Sequence, residues 1–322
     1  MRVLDAAQVR AAAPMPELLD AVEAAYRDVT ARRDRSPIRS RIPMGGGELI
    51  LMPGLREGGA GASVKLVTVM PGNAALGLPT IHAVVAWFDA ASGEPLALLD
   101  GATLTAMRTG AASGVGARLM ARPEARVLAL FGVGAQAAWQ VRAVMAARPI
   151  DEVRVYARTP ARREAFAADL AQELGSAVTV VASHSAEEAL GGADVVCTAT
   201  TSQEPIFSAD WISPVTHISA VGSFRLEMVE LPPELFGRAS LVAVDSREAA
   251  LEEAGELVAA IRAGVLAPDG FIEVGEIDPG WAASRDPSAI TIFKSVGLAI
   301  QDLATAELVM ANLPPPDDAP RG

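Results

Sequence analysis

Cysteine, histidine, aromatic side chains and positive charge are all scarce in this chain of 322 residues. A single cysteine, Cys197, excludes an internal disulfide and fits a reducing compartment. The three histidines, His82, His184 and His217, have no cysteine partners at metal-ligand spacing, so no metal is expected. Acidic residues outnumber basic ones 39 to 27, for a formal net charge of -12. Phosphate neutralisation needs clustered Lys and Arg, so neither nucleic acid nor an anionic membrane surface is an expected partner. No apolar run approaches the ~20 residues of a membrane span. Arg2, Asp5 and Arg10 break the first ten residues, which therefore lack the apolar core of a secretion signal. Cytoplasmic residence is the expectation.

What the chain does have is apolar content, 51 % of its residues, and length enough for two domains with proper cores. The first ~120 residues read as α+β. They open with a helix over 16–32, pass a glycine turn at 45–47, and continue in strands near 63–70 and 82–88. From Arg126 the pattern changes to alternating apolar strands and helices: strands at 126–131, 152–157 and 177–182, helices at 135–147 and 160–174. A further helix follows Ser185, with Glu188 placed three residues on as a capping box. Strands at 193–200, 215–222 and 240–245 bring the number to about six, with helical segments at 232–236 and 248–263. This alternation predicts an α/β fold with a Rossmann-type doubly wound parallel sheet. The amphipathic stretch 291–308 follows that sheet and is expected to cross back to the first domain. The Pro- and Asp-rich tail 314–322 is expected to be disordered.

The strand Leu128-Ala129-Leu130-Phe131 runs into Gly132-Val133-Gly134-Ala135-Gln136-Ala137, a Gly-x-Gly-x-x-Ala turn that opens a helix. Gly132 permits the tight turn, Gly134 a close approach of backbone to pyrophosphate, and Ala137 close helix-on-strand packing. At the end of the next strand, where an NAD site places an acidic residue, stand Ala157, Arg158 and Thr159, with Arg162 and Arg163 beyond. A guanidinium beside a hydroxyl suits a 2′-phosphate, so NADP(H) is preferred, with NAD(H) possible. Simple solvation of these arginines at a helix start is the competing reading.

Three cations of the first part are not explained as ordinary surface charge. Arg39 follows Pro37-Ile38, Lys65 interrupts the apolar strand Ser63-Val64-Lys65-Leu66, and Arg108 sits in Leu104-Thr105-Ala106-Met107-Arg108-Thr109. A charge in an apolar strand needs a partner. Together with Met52-Pro53, Pro71-Gly72-Asn73, Gly77-Leu78-Pro79-Thr80, the run 93–100, Thr103, Thr105, Thr200-Thr201-Ser202, His217, Gly222 and Phe293-Lys294-Ser295-Val296-Gly297, these residues resemble the ornithine cyclodeaminase/μ-crystallin family. The resemblance spans roughly residues 37–308.

That resemblance implies a substrate-binding and dimerisation domain from residues 1–120 and 295–322, and a dinucleotide domain over 121–294. It implies a homodimer, and a small imino or amino acid as substrate. Arg39, Lys65 and Arg108 would hold the substrate carboxylate, with Met52 and Thr80 nearby. Two guanidinium forks and an ammonium suit a carboxylate by charge and geometry. Lys65 and Arg108 would also act in catalysis. The cofactor contacts implied are Gly132, Gly134, Ala135, Gln136, Ala137, Arg158, Thr159, Arg163, Thr200, Thr201, Ser202, Val221, Gly222, Ser223, Lys294, Ser295 and Gly297.

One position departs from the family pattern. Cyclodeaminases place an Asp just after the Val-Gly-x step, whereas here the step reads Val221-Gly222-Ser223-Phe224-Arg225. Phe224 cannot accept a proton or orient a side-chain amine, which disfavours ornithine cyclisation unless Glu227 or Glu230 substitutes. An aromatic wall without a carboxylate suits a compact ring. The chain thus looks more like the ketimine reductases, which reduce Δ1-pyrroline-2-carboxylate or Δ1-piperideine-2-carboxylate to proline or pipecolate. In this reading hydride passes from NADPH to C2 of the imine, and the nitrogen proton comes from Lys65 or a bound water. An ornithine-type lyase, an amino-acid or opine-type dehydrogenase, and a nucleotide-dependent binding protein without turnover are the alternatives. His217 and Cys197 read as core residues, and Asp302 as an ion-pair partner.

Overall fold

In the computed structural model the chain folds around two sheets, and the structure describes residues 1–286 and 288–314. The part of the acidic tail beyond 314 lies outside the described residues. No helix is long and apolar enough to cross a membrane among the described residues.

The first sheet is built from β1 (Arg2–Leu4), β2 (Ser40–Met44), β3 (Gly47–Gly54), β4 (Gly61–Val69), β5 (Ile81–Asp89) and β6 (Pro95–Asp100), ordered β1-β6-β5-β4-β3-β2. Between β1 and β2 run α1 (Ala6–Ala12) and α2 (Met15–Thr30). Asp5 starts α1 through a reciprocal capping box with Gln8. In α2, Leu18, Leu19, Val22, Ala25, Tyr26 and Val29 recur at helical spacing and are buried. Burial alternates along β4, with Ser63, Lys65 and Val67 facing inward and Val64 and Leu66 outward.

After β6, Asp100 accepts a hydrogen bond from the Thr103 amide at 2.8 Å and starts α3 (Gly101–Met120). This helix is buried nearly all round, because it contacts α2, β5 and the second sheet. Its small residues allow that. A Cβ on Gly110 would lie 2.4 Å from the Trp139 carbonyl oxygen of the helix packed against it.

The second sheet takes β7 (Val127–Phe131), β8 (Glu152–Tyr156), β9 (Thr179–Ala182), β10 (Val195–Thr198), β11 (His217–Ala220), β12 (Ala239–Val244), β13 (Ile272–Glu273) and β14 (Ile290–Lys294). Every pairing in it is parallel, in the order β13-β12-β14-β11-β10-β7-β8-β9. Its helices are α4 (Ala137–Ala147), α5 (Pro160–Leu174), α6 (Ala186–Leu190), α7 (Pro233–Arg238), α8 (Arg247–Glu253), α9 (Gly255–Arg262) and α10 (Trp281–Ser284). The chain winds outward from β7 through β8 to β9, then returns to place β10 on the other side of β7. The switch point therefore lies between β7 and β10, where the Gly132 turn emerges.

Two expectations about this sheet are corrected. It has eight strands rather than six, and the first residues of the 291–308 stretch are not helical. They belong to β14, which lies in the sheet interior between β11 and β12. The chain leaves β14 through 295–298 and forms α11 (Ala299–Asn312), which packs on α2, β3 and β4 of the first sheet. An apolar strand joined to an apolar helix presents no break in composition, and that hid the boundary.

His217 has no exposed surface, and its ring nitrogens meet Thr291 Oγ1 at 2.9 Å and Ser219 Oγ at 3.0 Å. Burial pushes its pKa well below the ordinary histidine value, so it is a neutral core residue. Cys197 is likewise buried, its thiol pushed up to about 12.

Replacing Gly110 by Ala should force α3 and α4 apart. The expected cost is about 1–3 kcal/mol of stability, read as a lowered denaturation midpoint.

Candidate active site

Four elements bring charge to one buried point. Lys65 comes from β4, Arg108 from α3, Asp302 from the first turn of α11 and Arg39 from the segment before β2. Lys65 Nζ lies 2.7 Å from Asp302 Oδ2, and Arg108 Nε lies 3.0 Å from Asp302 Oδ1. One carboxylate without exposed surface thus joins two cations. Gln301 Oε1 also faces Arg108 Nη1 at 3.4 Å, while the Gln301 amide donates to the Tyr26 hydroxyl at 2.6 Å. Arg39 Nε pairs with Glu253 at 3.0 Å, and its Nη2 donates to the Val296 carbonyl at 2.9 Å. Gly297, with φ 81°, makes room for this cluster, since a Cβ there would sit 2.4 Å from Arg108 Nη1.

These cations wall one end of a cavity. Met52, Val67, Ile81, Val221, Phe224 and Gln136 supply other walls. Burial drags the Lys65 ammonium down to about 7, with Arg108 and Arg39 adding to the shift and Asp302 opposing it. Lys65 is therefore poised to exchange a proton near neutrality. The chain has 27 Lys and Arg residues in total, of which Lys65 and Lys294 are its two lysines, and both are fully buried.

The glycine turn borders the same cavity. Gly132 has φ 102° and donates its amide to the Tyr156 carbonyl at 3.0 Å, tying the turn to β8. A Cβ there would meet the Ala199 carbonyl at 2.5 Å. Gly134 is exposed with nothing within 4 Å of where a Cβ would stand, and the buried Ala137 seats α4 on the sheet. Ala135 is exposed beside it and Gln136 reaches the cavity. An open glycine at the N-terminus of an 11-residue helix fits a dinucleotide pyrophosphate.

Two buried carboxylates fix the strand ends, Glu230, which the sequence offers only as a stand-in for the missing Asp, and Asp245, to which it gives no role. Glu230 accepts from Thr198 Oγ1 (2.8 Å), the Thr200 amide (2.7 Å), Thr200 Oγ1 (2.8 Å) and the Gly222 amide (2.8 Å), joining the tips of β10 and β11. Asp245 accepts from Ser295 Oγ (2.8 Å) and the amides of Val296 (2.9 Å) and Gly297 (2.8 Å), fixing the turn after β14. Burial raises the pKa of both. Their signal in sequence was slight, an acidic residue at or near the end of an apolar run.

Several expected contacts are placed otherwise. Lys294 has no exposed surface, pairs with Glu256 at 3.1 Å and donates to the Ser223 carbonyl at 2.7 Å, while Ser223 Oγ also bonds Glu256. Both side chains are engaged with these buried partners. Thr80 is exposed and does not line the cavity; its neighbour Ile81 does. Arg163 turns inward, its guanidinium 5.9 Å from the Tyr156 ring, whereas Arg158 and Thr159 are exposed. Ser295, Val221 and Gly297 line the cavity. Thr201 is exposed, and Ser202 is half-buried with its hydroxyl on the Glu204 carbonyl at 2.6 Å. Neither Glu227 nor Glu230 replaces the missing carboxylate: the first is exposed and 3.6 Å from Arg225, the second has both oxygens engaged.

A doubly wound sheet with an open glycine turn, facing a buried cluster of cations across a cleft, defines a dinucleotide-binding class of fold. The chain belongs to the ornithine cyclodeaminase/mu-crystallin family, whose model matches residues 1–314. It is 40 % identical over 311 residues to a Delta(1)-pyrroline-2-carboxylate reductase of Bacillus cereus, covering 95 % of each chain. Its fold matches that of the Thermococcus litoralis Delta(1)-pyrroline-2-carboxylate reductase in complex with NADH and L-proline, with a TM-score of 0.89 at 32 % identity and 97 % of each chain covered. An archaeal alanine dehydrogenase dimer with bound NAD superposes at a TM-score of 0.86, also at 32 % identity, covering 97 % of this chain and 95 % of that one.

Gly134→Ala should leave the melting temperature unchanged and weaken nicotinamide-dinucleotide binding about tenfold or more in a calorimetric titration.

Proposed function

We propose that the protein is an NAD(P)H-dependent ketimine reductase that converts Δ1-pyrroline-2-carboxylate to L-proline, with Δ1-piperideine-2-carboxylate as the six-membered alternative. The observation that carries this reading is the buried Lys65–Asp302–Arg108 cluster at the end of a cavity bordered by Gln136 of the glycine turn. The 32–40 % identical relatives that carry the reductase name support it.

In this reading residues 1–120 and the described part, 295–314, of 295–322 form the substrate and dimerisation domain, and residues 121–294 the dinucleotide domain, in a cytoplasmic enzyme. The turn 132–137 holds the pyrophosphate, and Arg158 with Thr159 receives a 2′-phosphate, giving a preference for NADPH over NADH. Reduced nicotinamide supplies the hydride that C2 of the imine receives. Arg39 and Arg108 bind the substrate carboxylate and so orient the ring. Lys65, buried beside Asp302, donates a proton to the imine nitrogen, which makes C2 electrophilic. Asp302 holds both Lys65 and Arg108 and offsets their mutual repulsion. Met52, Ile81 and Phe224 keep the cavity apolar and small. A lyase would need a carboxylate at the Phe224 position, where Glu227 and Glu230 do not reach.

The direct test is to mix purified protein with Δ1-pyrroline-2-carboxylate and NADPH, beside NADH and beside ornithine with NAD. Loss of NADPH with formation of proline is expected, and ammonia from ornithine without net cofactor use would overturn the reading. Lys65→Met should lower kcat by about 100-fold or more. A donor lysine acts only when protonated, so kcat/KM should be level below about 7 and fall about tenfold per pH unit above it, following the depressed Lys65 pKa.

The dimer rests on the outward face of the first sheet. Ile42, Leu51, Val64, Leu66, Val84 and Leu98 share that face, Ile42 and Leu66 being 48 % and 38 % exposed. A continuous apolar face of this kind suits a second copy. Leu66→Asp should yield monomers in light scattering.

A further inference from the structure

Phe224, where this chain departs from the cyclodeaminases, does not stand alone in the cavity wall. Its ring lies 5.6 Å from the Arg41 guanidinium carbon and 5.7 Å from that of Arg225. The two arginines come from opposite sides of the cleft, Arg41 from β2 and Arg225 from the loop after β11. Glu48 of β3 bonds both: Arg41 Nη1 donates to its Oε1 at 2.9 Å, and Arg225 Nη2 donates to the same oxygen. Arg41 Nη2 also donates to the Phe224 carbonyl at 3.0 Å and meets Glu253 Oε1, at the end of α8, at 3.0 Å. Backbone and ring of Phe224 are thus held by one charged assembly that spans the cleft.

Held this way, the ring has little freedom to yield to a larger substrate. Stacked guanidiniums favour one ring orientation, and a bridging carboxylate keeps both guanidiniums in place. The Glu48 side chain is 13 % exposed, so its bonds are only weakly screened.

Building on the reductase reading above, we propose that Glu48 is a positioning residue for substrate size: by bridging Arg41 and Arg225 it locks Phe224 as the wall that favours the five-membered imine over the six-membered one. Glu48 touches neither substrate nor cofactor in this account. It acts through Phe224, so its effect must vanish when the phenyl ring is gone.

The test is a four-protein comparison of wild type, Glu48→Gln, Phe224→Leu and the double variant. For each, kcat/KM is measured with Δ1-pyrroline-2-carboxylate and Δ1-piperideine-2-carboxylate at saturating NADPH. Both single variants should shift the ratio toward the six-membered ring by about tenfold, the scale of one methylene in an apolar site. The double variant should match Phe224→Leu within about twofold. Arg225→Gln, which breaks the same bridge from the other side, should reproduce Glu48→Gln and serves if that variant does not fold. A general loss of activity with an unchanged ratio in Glu48→Gln and Arg225→Gln overturns the proposal alone. So does a Glu48→Gln effect that persists without the phenyl ring. Turnover of neither imine by the wild type overturns the functional reading, and the positioning role falls with it.

Discussion

Everything at this site depends on one buried carboxylate. Asp302 lies without solvent exposure between Lys65 and Arg108, two cations that would repel each other without it. A charge taken from water is tolerable only when paired and hydrogen-bonded, and deleting one partner of such a set costs about 3–5 kcal/mol. The pairing ties α11, which returns across the first sheet after the parallel sheet is complete, to β4 and α3. Burial of Ala299, Ile300, Leu303 and Ala306 supplies the apolar part of that return.

From this constraint the cleft follows. Residues 295–298 join an interior strand of the second sheet to the helix that carries Asp302, so the turn after β14 lies between the two sheets. Asp245 holds that turn through three hydrogen bonds, and Arg39 crosses to its carbonyls from the other side. The all-parallel sheet brings its strand ends, the Gly132 turn and the Val221 step to the same edge. Cations from β4, α3 and the segment before β2 thus face the strand ends of the second sheet, with Gln136 of the glycine turn bordering the space between them.

The chain's two lysines are both buried, in different company. Lys294 meets a carboxylate and two carbonyl oxygens, an arrangement that consumes its hydrogens and locks a sheet edge. Burial, with two guanidiniums in reach, weakens the hold of Lys65 on a proton to about 7 even beside Asp302. The two side chains thus differ in their surroundings rather than in residue type.

Much of the fold and part of the site were legible in the residues themselves. The Gly132–Ala137 turn was readable because its geometry is local: a positive φ and a bare backbone are requirements of adjacent residues. Lys65 was readable because a lone charge inside an alternating apolar strand has to point at a partner, and Phe224 because it breaks an otherwise intact pattern. The strand β14, the inward turn of Lys294 and Arg163, and the exposure of Thr80 were not readable, since each depends on which distant side chains are adjacent. The roles of Glu48, Glu230 and Asp245 are of that kind too, as are the particular cations that Asp302, readable as an ion-pair partner, engages. The sequence by itself determined the glycine turn, the parallel sheet around it and which cations gather at the cavity. Only the tertiary structure decided which carboxylate faces which cation, because a charge finds its counterion through space, and space is arranged by the packing of the whole chain.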